Sequence, residues 1–187
     1  MTGQIAAWHA EHLNFARLLR LFEAQLANFA DDASPDYDLM RDIVYYLNHF
    51  PDLHHHRYEN EVFVRMGERD ARLKPLANRL LQEHRVIAVH GADLLAQLEA
   101  IVDGAIVARG ELEAAAATFL TYYRAHLDAE ESTMLPRAAD LLQPSDWVEV
   151  AALVAEKSRD DPLFGRASED RFRQLRLKIE SEVGAMP

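Results

Sequence analysis

The chain has 187 residues, no cysteine and a formal net charge of −11. The lack of cysteine excludes disulfides, thiolate metal sites, cysteine-ligated iron–sulfur clusters and cysteine nucleophiles. The acidic charge disfavours nucleic-acid binding. No apolar run of about 18 residues and no secretory signal is evident, so we expect no membrane association and take the cytoplasm as the default location.

Apolar residues recur every three or four positions and predict four long helices in chain order. The predicted helices cover about 4–29, 37–66, 74–102 and 111–142. Pro51 interrupts the second apolar stripe, and we expect it to kink that helix, because proline removes one backbone hydrogen bond. Four long helices with short connections predict an antiparallel four-helix bundle.

Two more helices are predicted after the bundle. Residues 145–157 form the fifth, with Ser145 as its N-cap, and residues 169–183 form a sixth, amphipathic helix. We expect this last helix to dock on the bundle or to make a dimer contact. The predicted fold is therefore all-α, with a bundle over residues 1–142 and a helical extension over 143–187 packed on it. The protein is expected to be a monomer or a homodimer.

A few ionisable residues interrupt the apolar stripes near the middle of the four helices. Residues four apart lie on one helix face, so each His-x-x-x-Glu pair presents an imidazole and a carboxylate inward together. A single histidine on such a stripe is more often a packed core residue, and it is the joint pattern that favours a set of metal ligands. The set is His12, His55, Glu59, His84, His126 and Glu130.

Two buried carboxylates in one core require a counter-charge, since an uncompensated one costs on the order of several kcal/mol. A pair of divalent ions supplies that charge, held by four imidazoles with both carboxylates bridging. Nitrogen and oxygen donors suit iron, manganese or zinc. Open coordination positions would bind water, hydroxide, dioxygen or peroxide.

Four segments in order resemble the hemerythrin-like family of HHE cation-binding proteins. They are EHLNFARLL from Glu11, FPDLHHHRYENEVF from Phe50, LLQEHR from Leu80 and HLDAEESTMLPRA from His126. The resemblance implies a non-heme di-iron centre, with two iron ions and a bridging oxo or hydroxo species, although other divalent metals are compatible. It implies the same six ligands, and a protein that binds or senses a small diatomic molecule or peroxide: dioxygen, peroxide or nitric oxide.

The sequence also departs from the family's oxygen carriers. These have a further histidine on the third helix, where this chain has Ala88, with Gly91 one turn on. We expect these small residues to leave a pocket beside one metal, which would lack a ligand unless His56 supplies it. Oxygen carriers place a carboxylate at the position of Glu131, whereas the core stripe here selects Glu130, with Glu131 as an alternative carboxylate ligand if the register slips. These departures argue against simple reversible oxygen carriage.

Three further residues lie close in sequence to the predicted ligands. Tyr123, one turn before His126, is either a core aromatic residue or a phenol that donates a hydrogen bond to a ligand or to bound oxygen. His54 is expected on the bundle rim, and His90, six residues after His84, is expected to face away from the metals.

Two other functional classes remain compatible with the pattern. One is a di-iron enzyme that degrades peroxide or acts as an oxidase, although no glutamate stands three residues before any histidine, as ferritin-like oxidases require. The other is a protein for iron storage or buffering, or a metal-dependent interaction module.

Overall fold

The computed structural model describes residues 3–29, 34–154, 161–165 and 169–184. These residues contain helices and no strand, which confirms the predicted all-α class. In chain order the helices are α1 Gly3–Ala27, α2 Tyr37–Phe50, α3 His56–Arg69, α4 Lys74–Val102, α5 Arg109–Ala129, α6 Leu135–Leu141, α7 Pro144–Val154 and α8 Arg173–Gly184. None of the described helices is long and apolar enough to cross a membrane.

The four rods of the bundle are α1, α2 continued by α3, α4, and α5 continued by α6. Helix α2 packs on α1 and α4, and α5 packs on α4 and α1. The predicted four-helix bundle is therefore confirmed. The third rod has the predicted bounds, whereas the first ends at Ala27 rather than at Phe29.

Two of the rods contain a five-residue π-helical turn, over Pro51–His55 and Glu130–Met134. Pro51 has no N–H to donate to the carbonyl of Leu47, and the hydroxyl of Tyr123 on α5 donates to that carbonyl over 3.5 Å. The kink expected at Pro51 thus takes the form of a π turn. Its wider turn lets the adjacent residues His55 and His56 both be buried.

The core consists of two apolar clusters with a buried polar layer between them. The larger contains Phe15 and Ile87, and the smaller contains Trp8 and Leu80. His12 lies between the two clusters on α1. Buried histidines and glutamates occupy the equivalent level on the other rods, and both π turns fall at this boundary.

At Gly91 the structure does not leave the space that the sequence suggested. A Cβ atom on Gly91 would lie 2.4 Å from Oδ1 of Asn48 and 3.0 Å from the ring of Phe119. Glycine therefore lets α2 and α5 approach α4 closely, and the neighbouring side chains fill the space.

The C-terminal extension packs on the bundle at two places. Helix α7 lies against α3 and α8 lies against α2. The hydroxyl of Tyr46 donates a 2.8 Å hydrogen bond to Asp161, and the larger cluster includes four residues of the extension: Leu163, Phe172, Leu175 and Ile179. In the structure the last helix lies against the bundle, while a dimer contact stays a prediction.

Ser145 is not the N-cap of α7, because the helix already begins at Pro144 and Ser145 lies in its first turn. The carboxylate of Asp146 instead accepts a 2.7 Å hydrogen bond from the backbone N–H of Gln143. The part of the predicted fifth helix beyond Val154 lies outside the described residues.

Candidate metal centre

Buried histidine and glutamate side chains form two sets of four potential ligands within the polar layer. In each set the ligand atoms lie within 4.8 Å of one another. We call the first set the His12 half, made of His12, His55, Glu59 and Glu130, and the second the His84 half, made of His56, Glu59, His84 and His126. The sequence predicts six of these seven residues as ligands and His56 as the substitute for a missing one.

Glu59 directs one carboxylate oxygen to each half. Its Oε1 lies 3.1 Å from Nε2 of His55 and 3.5 Å from Nε2 of His12. Its Oε2 lies 3.5 Å from Nε2 of His84. A carboxylate placed in this way can bridge two ions.

Glu130 has the same arrangement from the opposite rod. Its Oε1 lies 2.9 Å from Nε2 of His126 and 3.5 Å from Nε2 of His84, and its Oε2 lies 3.5 Å from Nε2 of His12. Glu130, defined above as part of the His12 half, thus also faces the histidines of the His84 half, and both carboxylates lie between the two halves. The halves differ in their histidines, two in the His12 half and three in the His84 half.

The unpartnered polar atoms test whether these residues fit a metal pair. All four carboxylate oxygens of Glu59 and Glu130 are buried and accept no hydrogen bond, although each lies 2.9–3.5 Å from a histidine Nε2. Nε2 of both His84 and His126 also makes no hydrogen bond. Each unsatisfied buried polar atom costs about 1–3 kcal/mol, and more when it is charged. Divalent cations would satisfy these atoms together, and nitrogen and oxygen donors are those that iron, manganese and zinc accept. The donor set fits such a pair.

Each of the five histidines turns Nε2 inward and uses Nδ1 for an outer hydrogen bond. Such partners fix the orientation of an imidazole and strengthen it as a ligand. The pairs are His12 to Glu131 at 2.7 Å, His55 to Glu11 at 2.5 Å, His56 to Asp52 at 3.4 Å, His84 to Asn60 at 2.8 Å, and His126 to Glu83 at 3.1 Å.

The sequence reasoning missed four of these outer partners: Glu11, Asp52, Asn60 and Glu83. Glu11 and Glu83 directly precede His12 and His84, yet each contacts a histidine of a different rod. A glutamate beside a stripe histidine is thus the only local signal for them, and it does not show which helix they face.

Carboxylates around the histidines raise the histidine pKa values, which burial alone would lower. Burial by itself would lower the pKa of His12, but Glu131 and Glu59 outweigh it and raise the pKa to about 9. Burial is likewise outweighed at His126, whose pKa Glu130 raises to about 9, and at His55, whose pKa Glu59 and Glu11 raise to about 10. These histidines bind protons in the metal-free protein, and metal binding would displace them.

His56 behaves in the opposite way. Burial and the nearby charge of His84 lower the pKa of His56 to about 3, and the two rings stack with centroids 4.0 Å apart. Its long 3.4 Å contact with Asp52 does not compensate. The neutral imidazole of His56 is therefore available as a ligand without losing a proton.

Other residues considered in the sequence lie outside the two sets. Glu131 stands behind His12 and also accepts a 2.8 Å hydrogen bond from His9. The ring of His54 packs against Phe50, and His90 stacks on Tyr122, away from the centre.

Tyr123 is completely buried. Burial, together with the negative charges of Glu130 and Glu59, raises the pKa of its phenol well above the usual value. Its hydroxyl bonds to the carbonyl of Leu47 and to no candidate ligand among the described residues. This favours the core-aromatic alternative for Tyr123.

A cavity of about 400 Å³ lies between α1 and α5 and borders the His12 half. His12 and Glu131 form part of its wall, and the rest of the lining combines apolar residues with the charged Arg20, Arg124 and Asp128.

Searches of curated proteins and of solved structures found no match to this chain. The sequence profile of the hemerythrin HHE cation-binding domain matches residues 4–138, which include the four rods except Gly3 and the last three residues of α6, and all seven residues of the two sets. The chain therefore belongs to the hemerythrin HHE cation-binding domain family.

Proposed function

We propose that the chain holds two iron ions in the polar layer and binds or senses a small molecule there, namely dioxygen, peroxide or nitric oxide. The observation that carries the proposal is the pair of buried carboxylates, each with one oxygen toward either half and no other partner. Zinc or manganese would fit the same donors, and iron is proposed because it binds and exchanges electrons with these small molecules.

The His12 half supports the proposal because it offers fewer protein ligands. Each half was defined by four residues, but Oε1 of Glu130 also faces His84 and His126, at 3.5 and 2.9 Å. The His84 half can therefore use three histidines and both carboxylates, and the His12 half two histidines and both carboxylates. An ion in the His12 half would therefore keep more open coordination positions. The cavity between α1 and α5 borders this same half at His12, which gives a small molecule a route of approach.

The residues around the site fix the orientation of the histidine ligands before a metal or a small molecule binds. The outer hydrogen bonds keep each Nε2 pointing inward, so little reorganisation is needed on binding. The two apolar clusters above and below the layer exclude water, which strengthens electrostatic interactions inside it.

The test is metal content and the optical spectrum of protein grown in iron-rich medium and purified without chelator. We expect two iron ions per chain and a near-ultraviolet band that changes on addition of peroxide or nitric oxide. His55→Ala and Glu59→Ala should lose iron, while His90→Ala, a change outside the two sets, should keep it. A stable, metal-free protein with no band would overturn the proposal. Sustained oxygen evolution from peroxide would instead indicate an enzyme.

A further inference from the structure

The two halves of the centre differ in the groups behind their histidines. In the His12 half both histidines donate from Nδ1 to a carboxylate at short distance: His12 to Glu131 over 2.7 Å and His55 to Glu11 over 2.5 Å. Hydrogen bonds to an ionised acceptor at these distances are about twice as strong as neutral ones.

The His84 half has weaker outer partners. His84 donates to the neutral amide oxygen of Asn60 over 2.8 Å, and His56 reaches Asp52 only over 3.4 Å. His126 donates to Glu83 over 3.1 Å, and the other oxygen of Glu83 lies 3.3 Å from Nε of Arg79, which offsets part of its charge. The inner carboxylates are shared and do not distinguish the halves.

An imidazole that donates to a carboxylate is the more basic ligand, and the carboxylate places negative charge close to the metal position. Both effects stabilise a more highly charged cation. They act on both histidines of the His12 half, at short distance. In the His84 half both effects are weaker. The carboxylate behind His56 is 3.4 Å away, the carboxylate behind His126 is partly neutralised by Arg79, and His84 has no carboxylate behind it.

We propose that these outer hydrogen bonds make the two halves inequivalent, so that the His12 half holds a trivalent ion and the His84 half a divalent one. The part of this inference that concerns reduction rests on the proposed di-iron function. One electron from a reduced mediator dye, which is itself oxidised by one electron, would convert the ferric ion of the His84 half to ferrous. The ion of the His12 half would remain ferric until a second electron is added at lower potential.

The first experiment needs neither iron nor activity. Metal-free protein is loaded with one equivalent each of gallium(III), a redox-inert substitute for ferric ion, and zinc(II), and anomalous diffraction is recorded at both absorption edges. We expect gallium in the His12 half and zinc in the His84 half. Gallium in the His84 half, or both metals spread evenly over the two halves, would refute the proposal, and so would failure to bind the pair.

The second experiment is a redox titration of the iron-loaded protein, followed by electron paramagnetic resonance. Glu131→Gln keeps a hydrogen-bond acceptor behind His12 but removes its charge, and should favour reduction in the lower-potential step by about tenfold, which is 59 mV for one electron. Asn60→Asp adds a charge behind His84 and should disfavour reduction in the higher-potential step, bringing the two steps together.

Asp128→Asn is the matched control. Asp128 is exposed on the same helix as His126, and it makes no hydrogen bond to a histidine within the described part of the chain. This variant should leave both steps nearly unchanged. Equal shifts in Glu131→Gln and Asp128→Asn would mean that only distant charge matters, and would overturn the role of the outer hydrogen bonds. Iron content separates the two failures: no bound iron refutes the proposed function, whereas two bound irons with unshifted steps refute only this inference.

Discussion

Raising the pH from 7 to 9 should strengthen metal binding while weakening the metal-free fold. The pKa of His12 and of His126 is about 9 in the metal-free protein, so removing either proton at pH 7 costs about 3 kcal/mol. For His55, with a pKa of about 10, the cost is about 4 kcal/mol. The Nε2 atoms of His12 and His55 lie 2.8 Å apart and can hold only one proton between them, so a metal pair must displace at least two protons, one from this pair and one from His126. Affinity should rise about tenfold per pH unit for each proton.

The effect on folding has the opposite sign. A histidine whose pKa is raised above its unfolded value of 6.5 stabilises the fold fully below pH 6.5 and loses that contribution as the pH rises through about 9. The free energy of unfolding of the metal-free protein should therefore fall between pH 6.5 and 10, whereas the affinity for metal should increase over the same interval.

Calorimetric titration with zinc at pH 7, in two buffers of different ionisation enthalpy, counts the protons released. We expect at least two, one from His126 and one shared by His12 and His55. His55→Ala should lower the number, while His90→Ala, which removes a histidine stacked on Tyr122, should not. Zinc binding without proton release, with an affinity independent of pH, would show that the reasoning about these histidines is wrong.

Three further predictions concern packing and access. Gly91→Ala should cost about 1–3 kcal/mol in urea unfolding because its Cβ has no room, whereas Gly110→Ala, with nothing within 4 Å, should be neutral or stabilising. Ala16→Phe should fill the cavity beside His12 and slow nitric oxide binding about tenfold at unchanged metal content, while the same change at exposed Ala92 should not; equal rates would exclude this route. Leu163→Ala should cost about 2–5 kcal/mol, measured by thermal unfolding, because its side chain is buried between the extension and the bundle; an unchanged midpoint would contradict that docking.

The bundle and the inward residues could be predicted because both follow from helical periodicity. His12, His84 and His126 stand on apolar stripes, and the structure buries all three. The third rod even has its predicted bounds, since its apolar repeat is unbroken. Periodicity assigns a residue to a face of its own helix, and that assignment was sufficient to predict that these three histidines are buried.

Helical periodicity did not predict that the adjacent residues His55 and His56 are both buried. In a regular α-helix neighbouring residues point about 100° apart, so the sequence favours only one of the two as an inward ligand. The π turn after Phe50 changes the local rotation, and both side chains are buried. A proline predicts a kink, but not the hydrogen-bond pattern that the kink adopts.

Contacts between rods also could not be predicted from the sequence. Glu11 bonds to His55 and Glu83 bonds to His126, each across to another helix. Such pairs depend on the relative height and rotation of two helices, which one helix's pattern does not contain. The same limit applies to Gly91, whose close contact with Asn48 replaces the expected pocket.

The division of the core by a polar layer has a consequence for how the molecule opens. Helices α1 and α4 cross the layer as unbroken rods, while the other two rods cross it through π turns, where the regular hydrogen-bond ladder changes. We therefore expect the metal-free bundle to exchange amide hydrogens in two stages, with each apolar cluster protecting its own end. A bound metal pair would link all four rods at the polar layer. The amide hydrogens at the two ends should then exchange as one cooperative unit.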